Sequence, residues 1–183
     1  MKALAPLALA GAIAITALAL AADARIDVAH STIKATFRQE SVPVEAPFRK
    51  FSGHISYDAS NPAGSTASID VETGSFDMGD PAYNAEVRKK TWFDSDAFPL
   101  ASFRSSAVRA ISATRFEATG SLFIKGRSLN VTVPITMVAA GGKTAFDGTL
   151  PVSRQAFGIG DPVWNDVIDD QVNVSFHLIN ADH

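Results

Sequence analysis

With 183 residues, 46% hydrophobic and 19% charged, the chain has the make-up of one ordinary globular domain. A formal net charge of −3 without a basic block argues against nucleic acid as a partner, because phosphate backbones are gripped by clustered cations. The absence of cysteine removes disulfides, thiolate metal sites and cysteine nucleophiles together.

The chain opens on material unlike a domain. Lys2 precedes an uncharged run over residues 7–20, rich in Ala and Leu, which ends in Ala19-Leu20-Ala21. That small-x-small ending is the kind a signal peptidase cuts, and the run is short and weakly flanked for a membrane span. The expectation is a signal peptide over residues 1–21 and an exported, periplasmic domain over residues 22–183; cleavage after Ala22 or Ala24 fits as well. Losing Lys2 takes the formal charge from −3 to −4.

The rest reads as strands. Ile33, Ala35 and Phe37 alternate with Thr32, Lys34, Thr36 and Arg38, the period of a half-buried strand. Phe51, Ile55 and Tyr57 repeat it before a turn at Asn61-Pro62-Ala63-Gly64, and Ile69 and Val71 follow. A weaker segment runs from 101 to 108. Phe116, Leu122 and Ile124 come next, then a turn at residues 125–128 and the row Leu129, Val131, Val133 and Ile135. The last two strands fall near residues 144–152 and 172–179. One stretch departs from this period: Tyr83, Val87 and Lys90 have helical spacing, Pro81 suits a helix start, and Arg88-Lys89-Lys90 suit its end. The reading is an all-β fold of about eight antiparallel strands with one short helix near residues 82–91.

Eight strands form either a sandwich or a closed barrel; closure removes the exposed edges, and such a barrel is wide enough to be filled by side chains or to hold one small ligand. Ala35, Gly53, Gly120 and Gly148 fall on inward rows, where small residues favour a cavity, although glycine also marks bulges and bends. The inward positions predicted to line it are Phe37, Phe51, Ile55, Phe103, Leu122, Ile124, Val131, Val133, Phe146 and Phe176.

Catalytic and metal motifs do not emerge. His30, His54, His177 and His183 lack metal-ligand spacing, and nucleophile-elbow and phosphate-loop signatures are missing. Asp94-Ser95-Asp96 and the carboxylates between 166 and 170 read as turn and cap residues. Arg154 is expected near the barrel mouth, paired with a carboxylate. The run Arg88-Lys89-Lys90-Thr91-Trp92-Phe93 sets three cations beside two aromatics. It reads either as a solvated helix end followed by core aromatics or as a patch resting transiently on a membrane surface.

Several of these segments also carry a resemblance. Trp92-Phe93-Asp94 with residues 98–105, Gly120-Ser121-Leu122-Phe123-Ile124-Lys125-Gly126, and residues 154–160 resemble successive motifs of the YceI-like polyisoprenoid-binding family. Residues 27–31, 51–55 and Val133-Pro134 match in the same order. The resemblance implies an exported lipocalin-like barrel with no cofactor of its own, holding an isoprenoid lipid such as a long-tailed quinone. Many relatives carry a His shortly after the first strand, where this chain has Arg38-Gln39-Glu40. Trp164 and Asp166 after Ile159-Gly160 resemble relatives associated with a membrane b-type cytochrome, which would then be a partner.

A non-enzymatic carrier is therefore the leading expectation. A lipid-modifying enzyme would need a base beside the lumen, for which Asp94, His54 and His177 are the candidates. A barrel with a filled core and a structural or adaptor role is the third.

Overall fold

Alternating apolar and polar side chains build a single antiparallel sheet that carries most of the chain. The computed structural model describes residues 22–180, apart from 59 and 141. The expected signal peptide at residues 1–21 lies outside the described residues. Ten strands run in chain order: β1 Ala22–Arg25, β2 Thr32–Gln39, β3 Val42–Phe48, β4 Phe51–Tyr57 and β5 Thr66–Glu72. After helix α1, Pro81–Val87, come β6 Leu100–Ala110, β7 Arg115–Ile124, β8 Arg127–Ala140, β9 Lys143–Ser153 and β10 Gln171–Ile179.

The sheet order is β1-β4-β5-β6-β7-β8-β9-β10-β2-β3, so strands β4 to β10 each neighbour the next in sequence. Beyond β1 the chain crosses to β10: Ile26 bridges Asn180, and the Asp27 N–H donates to Ile179 O at 2.7 Å. This crossing curls the sheet into a half-barrel.

Two strands more than the expected eight are present, β1 and β3. β1 has the sequence ADAR, too short and polar to show an alternation. β3 contains Pro43 and Pro47, which cannot donate to a ladder and so belong at a sheet edge. It pairs only with β2 in the sheet order, and residues 75–77 cap its far end through Asp77 N–H to Pro47 O at 2.9 Å.

Helix α1 starts as expected. Asp80 caps it by accepting from the Ala82 and Tyr83 N–H groups, and Pro81 occupies the first turn. It ends at Val87, short of residue 91. Residues past it turn back instead, with Phe93 N–H on Val87 O and Ser95 N–H on Arg88 O, which swings Trp92 and Phe93 under the sheet. Burying two large aromatics outweighs one more helical turn.

The inward face follows the period of two. On β9 it shows Phe146, Leu150 and Val152, all buried, with Gly148 between them. On β7 it shows Phe116 and Ala118, facing Ile135 and Val133 of β8. Each such Val, Leu, Ile or Phe contributes roughly 1.5–3 kcal/mol when fully buried.

One ladder is incomplete. β8 and β9 pair only over residues 135–140 and 143–148. Beyond this point β8 follows β7 while β9 follows β10, and residues 154–160 span the split. Phe157, 2% exposed, packs with Val133 of β8 and with Leu150 and Val152 of β9. Arg127 and Lys125 tie the same loop to the β7–β8 turn through Ala156 O and Gly158 O.

Candidate ligand-binding cavity

The curled sheet encloses two adjoining cavities of about 190 and 220 Å³. Phe48, Phe93, Ile124, Val152 and Val174 border both, so the two share a wall. The partition is aromatic: the rings of Phe48, Phe76 and Phe93 lie with centroids 4.8, 5.6 and 6.0 Å apart. Such tilted and edge-on contacts are the favoured packing of neighbouring aromatic rings.

The first cavity lies between the sheet's inner rows and is almost wholly hydrocarbon. Seven predicted lumen residues line it: Ile55, Phe103, Leu122, Ile124, Val133, Phe146 and Phe176. Ile124 also lines the second cavity, together with Phe37. Phe51 and Val131 pack against the core clusters and border neither cavity. Parity separates the two faces of a strand but does not tell a residue facing space from one facing another side chain.

The second cavity is where sequence reasoning fell short. Its boundary includes Met78, Tyr83 and Val87, brought by α1 and the turn before it, with Trp92 and Trp164. Period-two patterns contain no information about a helix folded over a barrel end. The only available signals were the helical spacing of Tyr83 and Val87 and the paired aromatics Trp92-Phe93.

Trp92 is half-buried against the core and close to Gly160, which makes it a wall residue of the second cavity. Arg88, Lys89 and Lys90 follow the helix and are exposed, with Lys89 paired to Glu86.

The second cavity is also bordered by the one buried charged side chain among the described residues. Arg154 is 3% exposed and, contrary to the expected ion pair, has no carboxylate partner among them. Its Nε donates to Asp169 O at 3.0 Å and Nη1 to Ile159 O at 3.0 Å. Nη2 donates to Asn165 Oδ1 at 3.0 Å and Ile168 O at 2.7 Å. The guanidinium therefore gathers the loop after β9 by its carbonyls. The loop's carboxylates act as turn residues: Asp170 accepts from Ser153 Oγ and Gln155 N, and Asp161 caps Pro162–Trp164. Nearby, burial lowers the pKa of the Lys125 ammonium below the usual lysine range while it donates to Gly158 O.

The residues proposed as bases lie elsewhere. Asp94, His54 and His177 border neither cavity. His177 sits on the outer face, 2.6 Å from its cross-strand partner Asp147. Among the described residues, His, Cys, Asp and Glu side chains form no cluster able to hold a metal ion.

With the geometry in hand, comparison with known proteins places the chain. It is similar in structure to BcnA of Burkholderia cenocepacia, with TM-score 0.83 and 39% identity over 85% of this chain and 99% of that one. A polyisoprenoid binding domain from Saccharophagus degradans, implicated in plant cell wall breakdown, shares the fold at TM-score 0.71 and 16% identity, covering 88% and 100% of the two chains. A UPF0312 protein of Vibrio cholerae is 28% identical over 167 residues, 86% of this chain and 88% of that protein. The pattern described as the YceI-like domain matches residues 25–179, and the chain belongs to that family.

Proposed function

We propose that this protein is an exported, periplasmic carrier that holds a long isoprenoid lipid in the two adjoining cavities and does no chemistry on it. The observation that carries this reading is the lining of the first cavity, where hydrocarbon side chains from β2 and from β4 to β10 converge with few polar groups. The name of the Saccharophagus domain, a polyisoprenoid binding domain of the same fold, points to the same ligand class. Each buried CH₂ gains roughly 0.8 kcal/mol, so a five-carbon unit gains roughly 3–4 kcal/mol before ordering costs. A few units suffice for tight retention without any reactive group.

The test is native mass spectrometry of protein purified from its own host. A bound species of isoprenoid mass is expected, and a clean unliganded mass throughout would overturn the carrier. Sequencing the amino terminus of secreted material checks the compartment, with a start near Ala22 expected.

A further inference from the structure

We propose that the aromatic wall between the two cavities discriminates by tail length, and that Phe93 is the ring that must turn aside before a tail longer than about two isoprene units can be held. This rests on the carrier reading and deepens it. The ligand class it names is a prenyl chain long enough to lie across both cavities.

The sizes require the wall to yield. At about 190 and 220 Å³, each cavity alone falls short of the roughly 300–1,000 Å³ of an ordinary ligand site, which the two joined would reach. A cavity of roughly 150 Å³ takes a single benzene ring. By that measure either cavity is full within about two five-carbon units, whichever end of the barrel the lipid enters. Both linings suit a tail. The polar side chains bordering the second cavity are Gln39, Glu86 and Arg154, and the Arg154 guanidinium is already taken up by loop oxygens.

The three rings of the wall are held differently. Phe48 ends strand β3, paired with Ile33 of β2 and bridged to Phe76, which is itself buried. Phe93 belongs to no strand. It sits in the turn after α1, anchored by its N–H on Val87 O at 3.0 Å, and borders both cavities while remaining half-buried. Its side chain can therefore rotate without breaking a ladder. What it gives up is its edge-on contacts with Phe76 and Phe48, at 5.6 and 6.0 Å between centroids. Burying the five carbons of one further isoprene unit outweighs two such contacts. A shorter tail has nothing to offer in exchange and leaves the wall shut.

The experiment uses prenyl alcohols of one to four units: prenol, geraniol, farnesol and geranylgeraniol. Binding is followed by stopped-flow fluorescence of Trp92 and Trp164, which border the second cavity. Prenol and geraniol should bind in one step whose rate rises with concentration. Farnesol and geranylgeraniol should add a slower step whose rate saturates, the opening of the wall, and each added unit should tighten binding roughly tenfold or more. Phe93→Ala joins the cavities and should abolish the slow step for both long alcohols, and the milder Phe93→Leu should speed it. An unchanged slow step in a folded Phe93→Ala protein would overturn the role of Phe93. Should neither variant fold, the wild-type series decides. A single phase at every length, or a slow phase at every length, would overturn the wall and leave the carrier intact, whereas binding of none would remove the carrier itself.

Discussion

Gly148 of β9 and Phe176 of β10 are direct cross-strand partners, and the Phe176 ring lies across the glycine. A Cβ on Gly148 would stand 2.3 Å from Phe176 Cζ and 2.7 Å from the Pro134 carbonyl oxygen. The small residue therefore does not leave an open lumen at this point. It lets a large ring lie flat, and that ring becomes part of the first cavity's wall. It also marks the place where β8 parts from β9, since the Ile135–Gly148 pair is the last rung before the split.

Gly148→Ala should accordingly lower stability by about 1–3 kcal/mol, the usual range for overpacking, read as a lower urea midpoint. Phe176→Ala in the same chain should relieve the ring contact only. The Pro134 oxygen is backbone and cannot swing away, so the double variant should stay less stable than Phe176→Ala alone. Equal midpoints for those two proteins would show that β8 yields freely at Pro134.

Much of this architecture was legible because the inward rows are long and regular. Leu122 and Val133 follow a strict alternation on strands of ten residues or more, so parity alone placed them inside, whereas Phe103 lies on the weaker β6 just before its bulge. The inward glycines leave two readings open in sequence, space or a bend, and the close approach they permit here has a physical reason: a missing Cβ admits a neighbour as readily as a void. At Gly53 the room is taken by Ile26 and Ile69, and at Gly120 by the backbone of Arg104 beside a bulge in β6. Arg154 was misread, because carbonyl acceptors from a folded loop leave no trace in sequence, whereas carboxylates do. β3 was hidden by its two prolines, which are compatible with a strand only at an edge.

Phe103→Asp should abolish lipid retention. Phe103 lines the first cavity beside Leu122, its cross-strand partner, and the surroundings offer a carboxylate almost no donors. Phe103→Leu keeps the hydrocarbon lining and should retain lipid. Native mass spectrometry with circular dichroism reads both at once. A folded Asp variant that still carries lipid would place this wall outside the occupied volume.

Thr73 fastens the segment that brings Trp92 and Phe93 inward. It is 1% exposed, and its hydroxyl reaches Phe98 O at 2.9 Å, Ser95 Oγ at 3.1 Å and Pro99 O at 3.2 Å. Thr73→Val preserves shape and removes the hydroxyl, leaving those acceptors short of a donor. A loss of about 1–3 kcal/mol is expected, with amide exchange quickening first between residues 92 and 99. An unchanged unfolding midpoint would show that the hydroxyl contributes nothing net.

Asp77 ties helix α1 to the β3–β4 turn, and its titration sets an acid limit on that attachment. The Asn84 side-chain amide, the Gly79 N–H and the Arg49 guanidinium all bond its carboxylate and hold its pKa down at about 2, against an ordinary 3.8. Because the folded value lies below the unfolded one, the stabilisation is complete above the unfolded pKa and fades as pH falls toward 2. Tyr83 and Val87 of that helix border the second cavity, so this end of the barrel should loosen first in acid. Asp77→Asn removes the titration. Its urea midpoint should sit below wild type at pH 7 and fall less steeply between pH 4 and pH 2, so the two curves converge. Parallel curves over that interval would assign the acid sensitivity to other carboxylates, of which Asp27 is the nearest in kind: bonds from His30 and Lys143 lower its pKa as well.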